Sequence, residues 1–173
     1  ALVEVVAWGD VVWEDMTAAF VDCVNMVFGP NVGKPNLSKV KSIGKMFAGC
    51  SSFNQPVEEW DVSKVTDMSA TFANCTQFNQ PLEKWDVSQV SNMQSILEGC
   101  SAFNQPLGKW ALKNVKQVGL SYCGMSRRNY DASIEGWAAQ KDLAKNVQIV
   151  AKNLTYTCES AGRNMLIQTG WQF

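Results

Sequence analysis

Three segments of the chain superimpose without a gap, and this repetition limits the available folds more than any other feature. MFAGCSSFNQPVEEWDVSKV starts at Met46, TFANCTQFNQPLEKWDVSQV at Thr71 and ILEGCSAFNQPLGKWALKNV at Ile96. Cys50, Cys75 and Cys100 are spaced by 25 residues; so are Phe53, Phe78 and Phe103, and Trp60, Trp85 and Trp110. One unit this short cannot bury its own apolar side, so copies must stack to make a common core.

The register extends both ways. Phe20, Cys23 and Met26 occupy the slots of Phe47, Cys50 and Phe53 at an offset of 27, the two extra residues falling in the turn-rich GPNVGKPN. Trp8 falls in the tryptophan slot and Trp13 in that of Val65, while Val115 and Val118 fill the slots of Val90 and Met93. Cys123 comes two residues early, so the pattern shortens and stops there. A 25-residue period lies within the range of leucine-rich repeats. The expected fold is therefore an α/β solenoid: a short right-handed coil of four to five 25-residue rungs, closed by a C-terminal α/β cap. Cys75, Phe78, Leu82, Trp85, Val87, Val90, Met93 and Leu97 are the inward slots of one rung, stacking on their counterparts at ~4.8 Å. A helical turn is expected at residues 68–73 and a strand within 80–87. Residues 1–41 are read as an N-terminal cap with a degenerate first rung, 42–123 as regular repeats and 124–173 as a helical cap.

Slots that stay constant between copies read as scaffold. Asn54, Asn79 and Asn104 are expected to form a buried ladder with Gln55, Gln80 and Gln105 beside it, satisfying backbone groups turn after turn. Asp61 and Asp86, each two residues before Ser63 and Ser88, read as Asx-turn residues; the alternative is a paired-carboxylate or Ca²⁺ site. The tryptophan column reads as core, the alternative being an exposed aromatic platform for sugars. Cys50, Cys75 and Cys100 read as reduced, inaccessible thiols rather than nucleophiles or metal ligands, since a free cysteine packs as a small hydrophobe. Cys123 and Cys158 lie outside that ladder and are the expected partners if a disulfide closes the end of the coil.

Composition narrows the chemistry. The chain lacks histidine, so the commonest general base and metal ligand is missing. No cofactor or metal is expected, and no enzymatic activity. The formal net charge of -1, with no basic run, argues against a nucleic-acid partner. No apolar stretch reaches the roughly 20 residues that span a bilayer. Residues 1–7, ALVEVVA, carry Glu4, lack a basic leader and are too short for a signal peptide. After Gly124 the repeat ends. A helix is expected from an Asn129 cap to about Lys145, then a strand at 147–150, then a helix over 160–168 closed by Gly170.

The unit MF-x-x-C-x-x-FNQP-L-x-x-W-DVS-x-V-x-x-M resembles the BspA-like leucine-rich repeat of mycoplasma lipoproteins and other bacterial surface proteins. The tail resembles their closing segment, with NYDASIEGW followed by a final Leu-Ile-x-x-x-Trp turn. The first rung departs from the pattern with Pro35-Asn36 for Trp-Asp, and the fourth with Ala111-Leu112-Lys113 for Asp-Val-Ser. The resemblance implies an extracellular or cell-surface location, a monomeric module within a larger protein, and adhesion or protein contact as the role; the alternative is a spacer with no ligand. It carries no ligand-binding or catalytic residues. The slots that vary beside the tryptophan column are Glu58, Glu59, Glu83, Lys84 and Lys109. They form the candidate binding face, suited to a protein or cell-surface ligand of mixed charge.

Overall fold

The computed structural model describes residues 4–173; residues 1–3, which open the apolar ALVEVVA stretch, lie outside the described residues. In chain order the elements are β1 (Glu4–Val5), β2 (Val27–Phe28), β3 (Gln117–Gly119), α1 (Arg127–Ala138), β4 (Gln148–Val150) and α2 (Ala161–Gln168). β1 pairs with β2 and β3 with β4, both in parallel, giving two separate two-stranded sheets.

This overturns the leucine-rich-repeat-type α/β solenoid. Among the described residues there are only two short helices and four short strands, and none of them lies in the repeats between residues 29 and 116. Residues 68–73 form turns rather than a helix, and residues 80–87 contain no strand. Backbone dihedrals explain why. Each copy places two residues in the left-handed region four positions apart: Lys45 and Gly49 at φ 57° and 76°, Ala70 and Asn74 at 52° and 61°, Ser95 and Gly99 at 54° and 73°. A right-handed helix cannot pass through such points, and a strand needs extended φ throughout. The non-glycine members carry a steric cost of order 1 kcal/mol each, so packing must hold them there.

What the repeats make is a stack of irregular turns tied to one another through the backbone. Alternate amides of one copy donate to carbonyls of the next: Lys45 to Ser69 at 2.7 Å, Phe47 to Thr71 at 2.9 Å and Gly49 to Ala73 at 2.8 Å. One copy later, Ala70 donates to Gln94, Phe72 to Ile96 and Asn74 to Glu98. Gly99 answers a second need, because a Cβ there would collide with the Asn74 side chain. The parallel bridges Ser42–Asp67, Asp67–Asn92 and Met93–Val118 mark where the chain comes closest to a sheet, well away from the expected strand.

The core runs through the stack as columns. Phe47 stacks on Phe72 at 5.6 Å, Phe53 on Phe78 and Phe78 on Phe103 at 6.0 Å, with neighbouring columns joined by Phe72–Phe78 at 4.1 Å. Val57, Leu82 and Leu107 are fully buried beside them. At the C-terminal end, α1 starts at a Ser126 cap, three residues before the expected Asn129 cap, and stops at Ala138 rather than near Lys145. α2 is capped by Ser160, whose hydroxyl accepts from the Arg163 amide at 3.0 Å. Its end is followed by Gly170 at φ 88°.

Candidate functional site

The candidate face stands beside the tryptophan column. Glu59, Lys84 and Lys109 are exposed, Glu58 and Glu83 half-buried. Buried residues flank the row in every copy: Val57 and Trp60, Leu82 and Trp85, Leu107 and Trp110. Stacking brings the five expected residues together and adds one that sequence reasoning missed. Lys84 Nζ donates to Glu59 Oε1 at 2.6 Å and lies 3.4 Å from Glu58; Lys109 lies 3.2 Å from Glu83. Lys34 lies 3.6 Å from Glu59. It was hidden by the irregular first spacing, since GPNVGKPN disguises the slot equivalence between Lys34 and Glu59.

The row is thus a chain of exposed ion pairs whose three lysines and three glutamates cancel. The Lys84 hydrogen bond and charge, then Lys34, hold the Glu59 carboxyl below its usual range; Glu59, with Glu58, raises the Lys84 ammonium above its own. Exposed pairs of this kind contribute little to stability. Next to them, Val32, Gly33, Lys34, Pro56, Glu58, Glu59 and Trp60 line a shallow apolar recess of about 230 Å³.

The other motifs are spent on the stack itself. Trp60, Trp85 and Trp110 are buried, and the indoles of Trp85 and Trp110 donate to the Val57 and Leu82 carbonyls of the preceding turn at 2.9 and 2.8 Å. Trp137 of α1 repeats the contact on Leu107. The Cys50, Cys75 and Cys100 thiols donate to the carbonyls of Phe20, Phe47 and Phe72, each at 2.9 Å. Burial pushes the Cys50 thiol up to about 11 and drives those of Cys75 and Cys100 higher still. Thiols held neutral in this way are poor nucleophiles and poor metal ligands.

The asparagine ladder exists but lies at the surface rather than in the interior. Asn54 Oδ1 accepts from the Asn79 amide at 2.9 Å and from Gln80 Nε2 at 3.0 Å; Asn79 does the same for Asn104 and Gln105. Asn104 passes the pattern to Ser126 and Asn129, tying α1 to the last copy. Asp61 and Asp86 each accept from the amide two residues on, at 3.0 Å, closing Asx turns. Among the described residues no three carboxylate, thiol or imidazole side chains converge as a metal set. The Cys123–Cys158 pairing is not formed: both cysteines are free, Cys123 buried and Cys158 exposed. β4, the residues just after it and α1 hold this end closed instead, through the amides of Leu120 and Tyr122 on Val150 and Lys152, and the Trp137 indole.

A polar groove of about 490 Å³ runs across the turns between Lys41, Ser63, Lys64, Thr66, Asp86, Ser88 and Gln89. A smaller apolar recess of about 300 Å³ lies in the C-terminal segment between Tyr130, Ile149, Leu154, Tyr156 and Phe173. No described helix is long and apolar enough to cross a membrane.

No curated protein and no solved structure matches the chain. A family model does match, and it covers residues 14–137, from the first copy of the repeat to Trp137 in α1. That span is well over half of the 173 residues, and the chain belongs to the family described as Mycoplasma protein of unknown function, DUF285.

Proposed function

We propose that this chain is a non-enzymatic interaction or adhesion module of a secreted or surface-displayed protein, with a protein or cell-surface ligand as its partner. The observation that carries the reading is the charged row. Its residues vary between copies, yet each is held between two buried columns on a backbone tied turn to turn. A rigid frame with exchangeable exposed side chains suits recognition of another macromolecule, because little conformational entropy is lost on binding. The finer kinship to the BspA-like repeats of surface proteins belongs with this proposal and rests on the FNQP and WDVS motifs. The absence of histidine and the neutral thiols favour a non-catalytic role.

The test is the triple charge reversal Glu58→Lys, Glu59→Lys and Lys84→Glu, assayed for adhesion to immobilised cell-surface protein. The expected result is loss of binding with an unchanged circular dichroism spectrum. Unchanged binding by a folded variant removes the row from the site. A second reading, a spacer with no ligand, is favoured by one observation: the row's charges already satisfy one another. Under that reading neither the original nor the variant protein adheres.

A further inference from the structure

The two ends of the stack are chemically different. At the C-terminal end the Leu120 and Tyr122 amides are taken up by Val150 and Lys152, and Trp137 covers the last turn. At the N-terminal end the periodic bonds stop short. In the interior the carbonyls of Gly44, Met46 and Ala48 accept the amides of Ala18, Phe20 and Asp22. The equivalent carbonyls of the first turn, those of Thr17, Ala19 and Val21, receive no such amide among the described residues.

Two donor columns run out toward this end. Trp85 and Trp110 each donate to a carbonyl 28 residues earlier, Trp60 makes no such bond among the described residues, and Trp8, in the same slot and 5% exposed, holds its indole nitrogen buried with no partner there. Cys23 fills the cysteine slot and is 8% exposed, but among the described residues it lacks the carbonyl contact that Cys50, Cys75 and Cys100 all make. The Trp13 indole nitrogen is orphaned as well. Val6, Val11, Val12, Val21, Val24 and Val27 are all exposed, and they make up most of the large apolar side chains so exposed among the described residues. A buried donor without an acceptor costs roughly 1–3 kcal/mol, so this end is unfinished as it stands.

We propose that the N-terminal face docks a further turn of the same 25-residue kind, supplied by a segment that carries this repeat. Such a turn matches the edge in every respect: alternate amides for the carbonyls of Thr17, Ala19 and Val21, and carbonyls for Trp8 and Cys23. The edge also argues against a second copy. The same segments brought together about a two-fold axis set carbonyl against carbonyl, and head-to-tail stacking is blocked because the C-terminal end is covered.

The experiment places a copy of residues 53–77 directly ahead of Ala1 in the full chain. The repeat register then sets the copied Val57 carbonyl 28 residues before Trp8, as in the Val57–Trp85 contact. A scrambled extension is the control. Hydrogen exchange of the Trp8 indole, assigned with Trp8→Phe, should slow by about tenfold or more, the equivalent of one added hydrogen bond of ~1.4 kcal/mol. Alkylation of Cys23 should slow with it, and the unfolding midpoint should rise. Unchanged exchange and alkylation in a folded, extended chain overturn the proposal. Should the extension misfold, the 173-residue chain decides alone. Its Trp8 indole should exchange far faster than those of Trp85 and Trp110, and equal protection overturns the proposal. Concentration-dependent sedimentation that protects Trp8 also overturns it, in favour of self-association. None of these readouts involves the charged row, so they are independent of the adhesion assay.

Discussion

Individual side chains in this molecule act across turns more than within them. Trp85 illustrates the point: its ring fills the core while its indole N–H satisfies the Val57 carbonyl of the turn before. Trp85→Phe keeps an aromatic ring but leaves the Val57 carbonyl with the Trp60 amide alone and shrinks the ring in the core, and should cost about 2 kcal/mol in urea unfolding. The thiols behave alike. In native protein Cys158 should react with a thiol reagent within the mixing time, while Cys50, Cys75 and Cys100 stay unmodified until denaturant is added. Their ionisation also couples to folding. Burial raises the Cys50, Cys75, Cys100 and Cys123 thiols above their ordinary value of 9.0, so between that value and their folded values the native state keeps protons the unfolded state has lost. The stabilisation is complete below about pH 9 and falls as the pH rises, by up to about 1.4 kcal/mol per pH unit for each thiol. Urea unfolding between pH 8 and pH 10.5 should show this decline, and Cys75→Ala should make it shallower.

Among the elements, the turns are specified by dihedrals that no hydrophobic pattern encodes. Lys45, Ala70 and Ser95 share one left-handed slot although none is glycine or asparagine, so the residue types give no warning. The helix expected at 68–73 fails for that reason, and the expected strand at 80–87 fails because the pairing lies instead at Ser42, Asp67 and Asn92. The Asx turns at Asp61 and Asp86 were legible because the side-chain oxygen reaches an amide only two residues away. α1 was legible in outline from its apolar spacing and α2 from the Gly170 that closes it, and their starts were decided by Ser126 and Ser160. Ser160→Ala removes the cap and the 2.6 Å bond from its hydroxyl to Glu135. It should destabilise α2 by about 1 kcal/mol, seen as faster amide exchange confined to residues 161–168.

Across the whole chain, neighbouring turns supply almost every partner, so stability should depend on continuity of the columns. Phe78 touches Phe53, Phe72 and Phe103, and Phe78→Ala should cost about 3–5 kcal/mol by opening a cavity in the middle of the stack. Thermal unfolding would register it as a large drop in midpoint. By contrast, raising the salt concentration should hardly move the midpoint, since the ion pairs of the charged row are exposed.

The sequence by itself determined the period, the inward slots and the side-chain ladders. These follow from identical residues meeting themselves one turn apart, which requires only that copies stack in register. Tertiary structure alone decided the backbone path inside each copy. A left-handed residue costs about as much as one hydrogen bond returns, so only the amide-to-carbonyl ties between adjacent copies settle the balance. The same ties placed Lys34 against Glu59, brought the asparagine ladder to the surface and left Trp8 without an acceptor, because each of these depends on which turn lies next to which.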